Sequence, residues 1–223
     1  MPRGTSDILA NYNDKLTQEQ RRAPLKRIER ATAYLDKMLD ELSLIARGER
    51  GYLQFQPMLL SPHDLCADIL NDFTTINESA HEIVLEGNEL IEPCCLDEDM
   101  FRHIIVNLLS NAIKYSPEGS KIILRLSKQQ SDLIFEVIDQ GIGIPEEDIP
   151  RLFEPFHRAQ NVGSTKGSGI GLSIVRELIS AHGGQISCES NLGVGTTFTV
   201  TIPLNTEDCE KIAIRQIRNN SIS

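Results

Sequence analysis

Apolar positions recur along this chain with two distinct periods, and the period changes near residue 57. In 17–47 the spacing is seven: Ile28, Leu35 and Leu42 repeat, and Ala31, Met38 and Ile45 stand three further on. That is an a/d seam over three heptads, the pattern of a coiled coil or helical bundle. A lone amphipathic helix packed on its own domain is the alternative. Thr17-x-x-Gln20 has the form of a capping box, and Gly48 and Gly51 stop the helix. Pro24 removes a backbone donor and predicts a kink or restart. Upstream, only Ser6 to Tyr12 can be helical, too short to pair with it as a hairpin.

Beyond residue 57 short alternating runs and longer 3.6-period runs succeed one another. Helices are predicted over 62–77 (Leu65, Ile69, Leu70, Phe73), 97–115 (Phe101, Ile104, Ile105, Leu108, Ala112) and 170–181. Strands are predicted at 83–85, 91–96, 121–126, 133–139, 185–190 and 196–203, the last two around the turn Asn191-Leu-Gly-Val-Gly195. Helices interleaved with mostly antiparallel strands predict an α/β fold, a two-layer α/β sandwich. The expected organisation is a partial helical hairpin at 1–56, a domain at 57–204 and a loose tail at 205–223.

Charge separates the same segments. The whole chain carries 22 basic and 32 acidic side chains, net −10. Residues 1–56 hold 10 basic and 8 acidic groups, whereas 57–204 hold 9 and 21, or −12. An acidic domain argues against nucleic-acid binding, which needs a basic stripe to displace counterions. No uncharged apolar run reaches membrane-spanning length, and Met1 to Lys15 lacks a secretory apolar core. The five cysteines, Cys66, Cys94, Cys95, Cys188 and Cys209, form no C-x-x-C pair and read as free thiols of a cytoplasmic protein.

Three elements carry candidate chemistry. Asn107, Asn111 and Lys114 stand at i, i+4 and i+7 and form one polar stripe beside an apolar helix face. Carboxamide oxygens suit Mg²⁺ and an ammonium suits phosphate, although satisfied surface amides give the same spacing. In Val137-Ile-Asp139-Gln-Gly141-Ile-Gly143-Ile144 a strand runs into a carboxylate and two glycines. Such a carboxylate can accept from an amino group and the glycines admit a flat ligand, but Asp-x-Gly is also a common tight turn. Gly167-Ser168-Gly169-Ile170-Gly171-Leu172 opens a helix, whose free N–H groups favour phosphate; it fits neither the dinucleotide fingerprint nor the P-loop. The long connection from Pro145 to Lys166 is expected to be functional, with Phe153 and Phe156 anchoring it apolarly while Arg158 reaches inward.

Order and spacing of these elements carry a resemblance. Asn107-Leu-Leu-Ser-Asn111-Ala-Ile-Lys114-Tyr115 resembles the N-box of two-component sensor histidine kinases. Asp139-Gln-Gly141-Ile-Gly143 resembles their first glycine box, and Gly167-Ser-Gly169-Ile-Gly171 the second. Phe153-Glu-Pro-Phe156-His-Arg158 is similar to the phenylalanine box; His182-Gly-Gly184 and Gly193-Val-Gly195-Thr-Thr-Phe198 complete the match. The wider superfamily includes DNA gyrase, the heat-shock chaperone and mismatch-repair ATPases. The resemblance implies a Bergerat-type ATP-binding fold and an ATP-dependent protein-histidine kinase. It places Asp139 on the adenine amino group with Gly141, Gly143 and Ile144 around the ring. Asn111 would ligate Mg²⁺ with Asn107 in support, and Lys114 and Tyr115 would contact phosphates or ribose. Backbone N–H groups of Gly167 to Leu172 would face the phosphates, with Phe156 in the pocket wall and Arg158 on the transferred γ-phosphoryl group.

The family's acceptor histidine lies in His-Glu-x-Arg-Thr-Pro-Leu, and none of His63, His81, His103, His157 or His182 has that context. Ser6 to Leu16 resembles the far end of the acceptor helix, so the acceptor would lie upstream of Met1. A fragment, a misassigned start and a natural remnant acting on another protein all remain open, and autophosphorylation of this chain alone is not expected. Expected partners are ATP, a response regulator or a histidine-containing partner kinase, and a second copy through the 17–47 helix. The alternatives are a nucleotide-dependent module that regulates a partner kinase without transfer, and an anti-sigma-type serine kinase. The 28–45 heptads count against the latter.

Overall fold

The computed structural model describes residues 32, 43, 54–76, 81–87, 91–163, 165 and 167–204, with side chains of 73–76 excepted. The chain divides into two compact units, Met1–Ala46 and Arg47–Ser223. In the first, Thr32 and Ser43 are helical. The expected cap, kink, heptad seam and helix end of 17–51 otherwise lie outside the described residues, as does the tail from 205.

In the second unit, strand β1 (Met58–Leu60) leads into helix α1 (Pro62–Ile76). Strand β2 (Glu82–Gly87) and the short β3 (Cys94–Leu96) precede helix α2 (Glu98–Tyr115). The hairpin β4 (Lys121–Gln129) and β5 (Asp132–Ile138) follows. After a long connection come helix α3 (Gly171–Ala181) and the hairpin β6 (Gln185–Asn191) and β7 (Gly195–Pro203).

Five strands form one sheet in the order β2-β4-β5-β7-β6. The β2–β4 pair is parallel and the other three are antiparallel. A separate antiparallel pair joins β1 to β3, with Met58 opposite Leu96. Period-two alternation sends Ile122, Leu124 and Leu126 of β4, Leu133, Phe135 and Val137 of β5, and Phe198, Val200 and Ile202 of β7 to one buried face. The helices cover that face. Phe101 of α2 meets Phe135 edge-on at 5.3 Å between ring centroids. α2 also packs against α1 and α3. The opposite sheet face is lined by half-buried polar and aliphatic residues, including Arg125 bridging Glu86 and Glu136 at 3.1 Å each. The fold is the two-layer α/β sandwich the alternation predicts.

The departures are local. The strand expected over 91–96 shrinks to 94–96: Ile91 is buried there as a core residue without joining a sheet. β4 continues to Gln129 because β5 supplies antiparallel partners to that point. Asp97 caps α2 rather than beginning it, its Oδ1 accepting from Met100 N at 3.0 Å.

Candidate nucleotide-binding site

Asp139 follows the last residue of β5 and is 9% exposed. Its Oδ1 accepts from the N–H groups of Gly141 at 2.8 Å and Thr196 at 3.1 Å. Both bonds fall on one oxygen, so Oδ2 keeps its lone pairs free among the described residues. Burial pushes the carboxyl above the usual range, and the two N–H donors oppose that shift. The glycines after it are sterically required. A Cβ on Gly141 would stand 2.7 Å from Tyr115 O, and one on Gly143, at φ +70°, would stand 2.2 Å from Asn191 O. Ile142 N donates to Tyr115 O at 3.1 Å, and Ile144 N donates to Ser190 Oγ at 2.8 Å. The first glycine turn is thereby wedged between the end of α2 and the β6–β7 hairpin.

The polar stripe of α2 faces the second glycine segment. Asn107 Nδ2 donates to His103 O at 3.0 Å, and its Oδ1 would lie 2.8 Å from a Cβ on Gly171. Lys114 Nζ donates to Tyr115 Oη at 2.9 Å and would lie 2.5 Å from a Cβ on Gly167. Asn111 is half-buried, and its carboxamide has no hydrogen-bond partner among the described residues. No side chain caps the N-terminus of α3. Its leading N–H groups therefore stay available to an anion, with the helix dipole behind them. Ile170 N donates to Ser168 Oγ at 3.3 Å, while the Ile170 side chain is fully buried, so only its backbone can face a ligand. Leu172 is half-buried one residue into the helix.

The connection between the glycine segments differs from the expectation. Phe153 is half-buried, but Phe156 is 62% exposed at φ +66° and anchors nothing. Its backbone is what matters: Phe156 N donates to Gly169 O at 2.9 Å, and this approach leaves no room for a Cβ on Gly169. Arg158 does not reach inward. Its guanidinium donates to Thr165 O at the end of the connection and to Gly167 O at the start of the second glycine segment.

Two groups escaped the sequence reading. Asp148 is 3% exposed and accepts from Gln160 N at 2.9 Å, with His157 Nε2 3.2 Å from its other oxygen. Asn161 Nδ2 donates to Gly143 O at 2.8 Å. A buried carboxylate in Glu146-Glu-Asp148 looks like one more surface acid, so only its tertiary contacts reveal it. His182 is buried, accepts from Asp97 N at 3.3 Å and donates from Nδ1 to Leu178 O at 2.9 Å, so it is a neutral structural group.

An open-faced α/β sandwich with a carboxylate at a strand end and an uncapped helix N-terminus beside it defines an ATP-binding fold of the Bergerat type. Residues 96–206 match the family of histidine kinase-, DNA gyrase B-, and HSP90-like ATPases, and this segment of the chain belongs to it. Within it the similarities fall on sensor histidine kinases. The circadian input-output histidine kinase CikA of Synechococcus elongatus is 31% identical over 211 residues, 91% of this chain and 28% of CikA. The adaptive-response sensory kinase SasA of a Nostoc species is 32% identical over 205 residues, 88% of this chain and 51% of SasA. Full-length ShkA, solved in complex with AMPPNP, superposes with TM-score 0.74 at 26% identity, covering 86% of this chain and 40% of ShkA. The chain thus spans about half or less of these relatives. Among the described residues no helix is long and apolar enough to cross a membrane.

Proposed function

We propose that the second unit is the catalytic core of a two-component sensor histidine kinase, binding Mg·ATP between α2, α3 and the β5 end. It passes the γ-phosphoryl group to a histidine outside this sequence. The observation that carries this reading is the convergence of 107–115, 139–144 and 167–171: Tyr115 O is bonded to Ile142 N, and Lys114 and Asn107 abut Gly167 and Gly171. A carboxylate acceptor stands at one end and a cation with an uncapped helix N-terminus at the other. This spacing of charge matches a base amino group and a polyphosphate.

In this reading Asp139 Oδ2 accepts from the adenine amino group, with Gly141, Gly143 and Ile144 as the floor. Lys114, Tyr115 and the N–H groups of Gly167 to Leu172 hold the phosphates. No cluster of three His, Cys, Asp or Glu side chains that could hold a metal occurs among the described residues. Magnesium arriving with the nucleotide would need none, and the Asn111 carboxamide oxygen, backed by Asn107, would hold it. The ion supplies charge neutralisation when bound. Arg158 stabilises the transferred group after exchanging its carbonyl partners for phosphate. Catalysis here is positioning and electrostatics, as phosphoryl transfer requires.

An external acceptor is inferred from sequence context, since none of the five histidines stands in His-Glu-x-Arg-Thr-Pro-Leu. In the structure His182 is buried, His157 faces Asp148, His103 is bonded to Asp99 O, His81 pairs with Ser120 Oγ and His63 lies 3.7 Å from Asp64. The acceptor-bearing partner is a histidine-containing kinase chain, and a response regulator receives the group from it. γ-Labelled ATP tests this. The chain alone should acquire no acid-labile label, and a homologous kinase bearing the acceptor histidine but lacking its own nucleotide site should acquire it when the chain is added. Label on the chain alone would overturn the external acceptor. One observation favours a second reading, a nucleotide-gated docking module without transfer: Phe156 is an exposed aromatic held in a strained backbone. Inhibition of an intact kinase without transfer would support that reading instead.

A further inference from the structure

The segment between the glycine turns is bonded to both of them, and besides Arg158 on Gly167 O each turn takes one backbone or amide bond from it. Phe156 N holds Gly169 O at 2.9 Å, and Asn161 Nδ2 holds Gly143 O at 2.8 Å. Next to each contact the chain is fastened to the same buried carboxylate. His157, adjacent to Phe156, places Nε2 3.2 Å from Asp148 Oδ1. Gln160, adjacent to Asn161, donates its N–H to Asp148 Oδ2 at 2.9 Å.

Asp148 itself is rigidly placed. Its N–H donates to Pro145 O at 2.9 Å, within the 3-10 turn Glu146–Arg151 that follows the first glycine turn directly. His157 Nε2 is sealed from solvent and sits off line for a hydrogen bond, so Asp148 is held chiefly by the Gln160 N–H, with the His157 ring packed beside its other oxygen. A carboxylate taken out of water persists only where a donor compensates it, so the Gln160 N–H bond is costly to lose.

We propose that Asp148 is a positioning residue for nucleotide binding: through His157 and Gln160 it holds the 153–161 segment so that Asn161 and Phe156 fix the two glycine turns in register. This rests on the nucleotide reading of the site. Asp148 touches no ligand; it acts through the turn carbonyls of Gly143 and Gly169. Loss of the clasp removes one tether from each turn, so the affinity for nucleotide falls while the sheet and helices stay intact.

The test is calorimetric titration of the full chain with ATP and magnesium. Asp148→Ala should bind about tenfold more weakly, and Asp148→Asn, which keeps an acceptor for Gln160 N, should recover most of that loss. Asn161→Ala removes the tether to Gly143 from an exposed position and should weaken binding about three- to tenfold with an unchanged unfolding midpoint. That variant keeps the proposal testable if Asp148→Ala does not fold. Wild-type affinity in Asn161→Ala, or in a folded Asp148→Ala, overturns the clasp alone. A wild-type chain that binds no ATP overturns the nucleotide reading first.

Discussion

Asp139→Asn separates binding from stability more cleanly than any other substitution. The Asn carbonyl oxygen can keep both N–H bonds that Oδ1 now accepts, from Gly141 and Thr196. What changes is Oδ2, replaced by an amide NH₂ that points a donor at the adenine amino group, itself a donor. Losing a hydrogen bond to a charged acceptor costs about 1.5–3 kcal/mol, so ATP affinity should fall about tenfold to a hundredfold. Stability should move the other way. Burial raises the Asp139 carboxyl above its ordinary value, so only between the unfolded and folded values does the ligand-free protein hold a proton that the unfolded state releases. That group stabilises the fold below the unfolded carboxylate range, and the benefit is lost as pH rises through the folded value. At neutral pH the ionised Asp139 therefore burdens the empty protein, and the Asn variant should melt at an equal or higher temperature. As pH drops below about 4 that advantage should vanish, because both proteins are then neutral there. Calorimetric titration and thermal melts between pH 3.5 and 8, taken as about the range that spans both forms, provide the assay. An Asn variant that binds ATP within about threefold of wild type would refute the role of Oδ2.

Lys114→Ala should weaken ATP about tenfold and leave adenosine unchanged, because its ammonium abuts Gly167 on the phosphate side; competition between the two ligands checks it, and equal losses would place Lys114 elsewhere. Gly143→Ala should lower the unfolding free energy by about 2 kcal/mol or more, since its Cβ would meet Asn191 O at 2.2 Å with φ at +70°; a denaturant midpoint within error of wild type would contradict the wedge. Burial holds His182 below its ordinary value, opposed by Leu178 O and Asp97. Stability from it is present above the unfolded histidine range and lost as pH falls through the folded value, so His182→Asn should flatten the fall in melting temperature between about pH 7 and 5. Burial pushes the Cys66 and Cys188 thiols up to about 12. Both should resist iodoacetamide at pH 8 in the folded protein and react after denaturation, as mass spectrometry of the peptides would read.

The sandwich was legible because its strands and helices sort apolar side chains to one face with periods of 2 and 3.6. Leu133, Phe135 and Val137 alternate in sequence and in burial alike. The three-residue β1 was not legible: Met58-Leu-Leu60 carries too little alternation to register, and only its pairing with Cys94–Leu96 makes it a strand. At the site, glycines and the strand-end carboxylate announced themselves by type and position. The orientation of Arg158 did not, because competition between a ligand and the carbonyls of Thr165 and Gly167 is decided by tertiary reach. Phe156 misled for a related reason: its backbone bond to Gly169 needs a positive φ, and that turns the ring out to solvent. Asp148 stayed hidden because its neighbours Glu146 and Glu147 are exposed acids, and nothing local marks which of the three is buried.

The central claim is that one nucleotide lies across the 107–115, 139–144 and 167–175 segments. Hydrogen–deuterium exchange of the full chain with and without Mg·ATP tests it most directly. Slowed exchange is expected in those three segments and in 156–161, with the open sheet face at 123–127 and 197–201 unchanged. Unaltered exchange in all of them at saturating ATP, or protection confined to the open face, would contradict it.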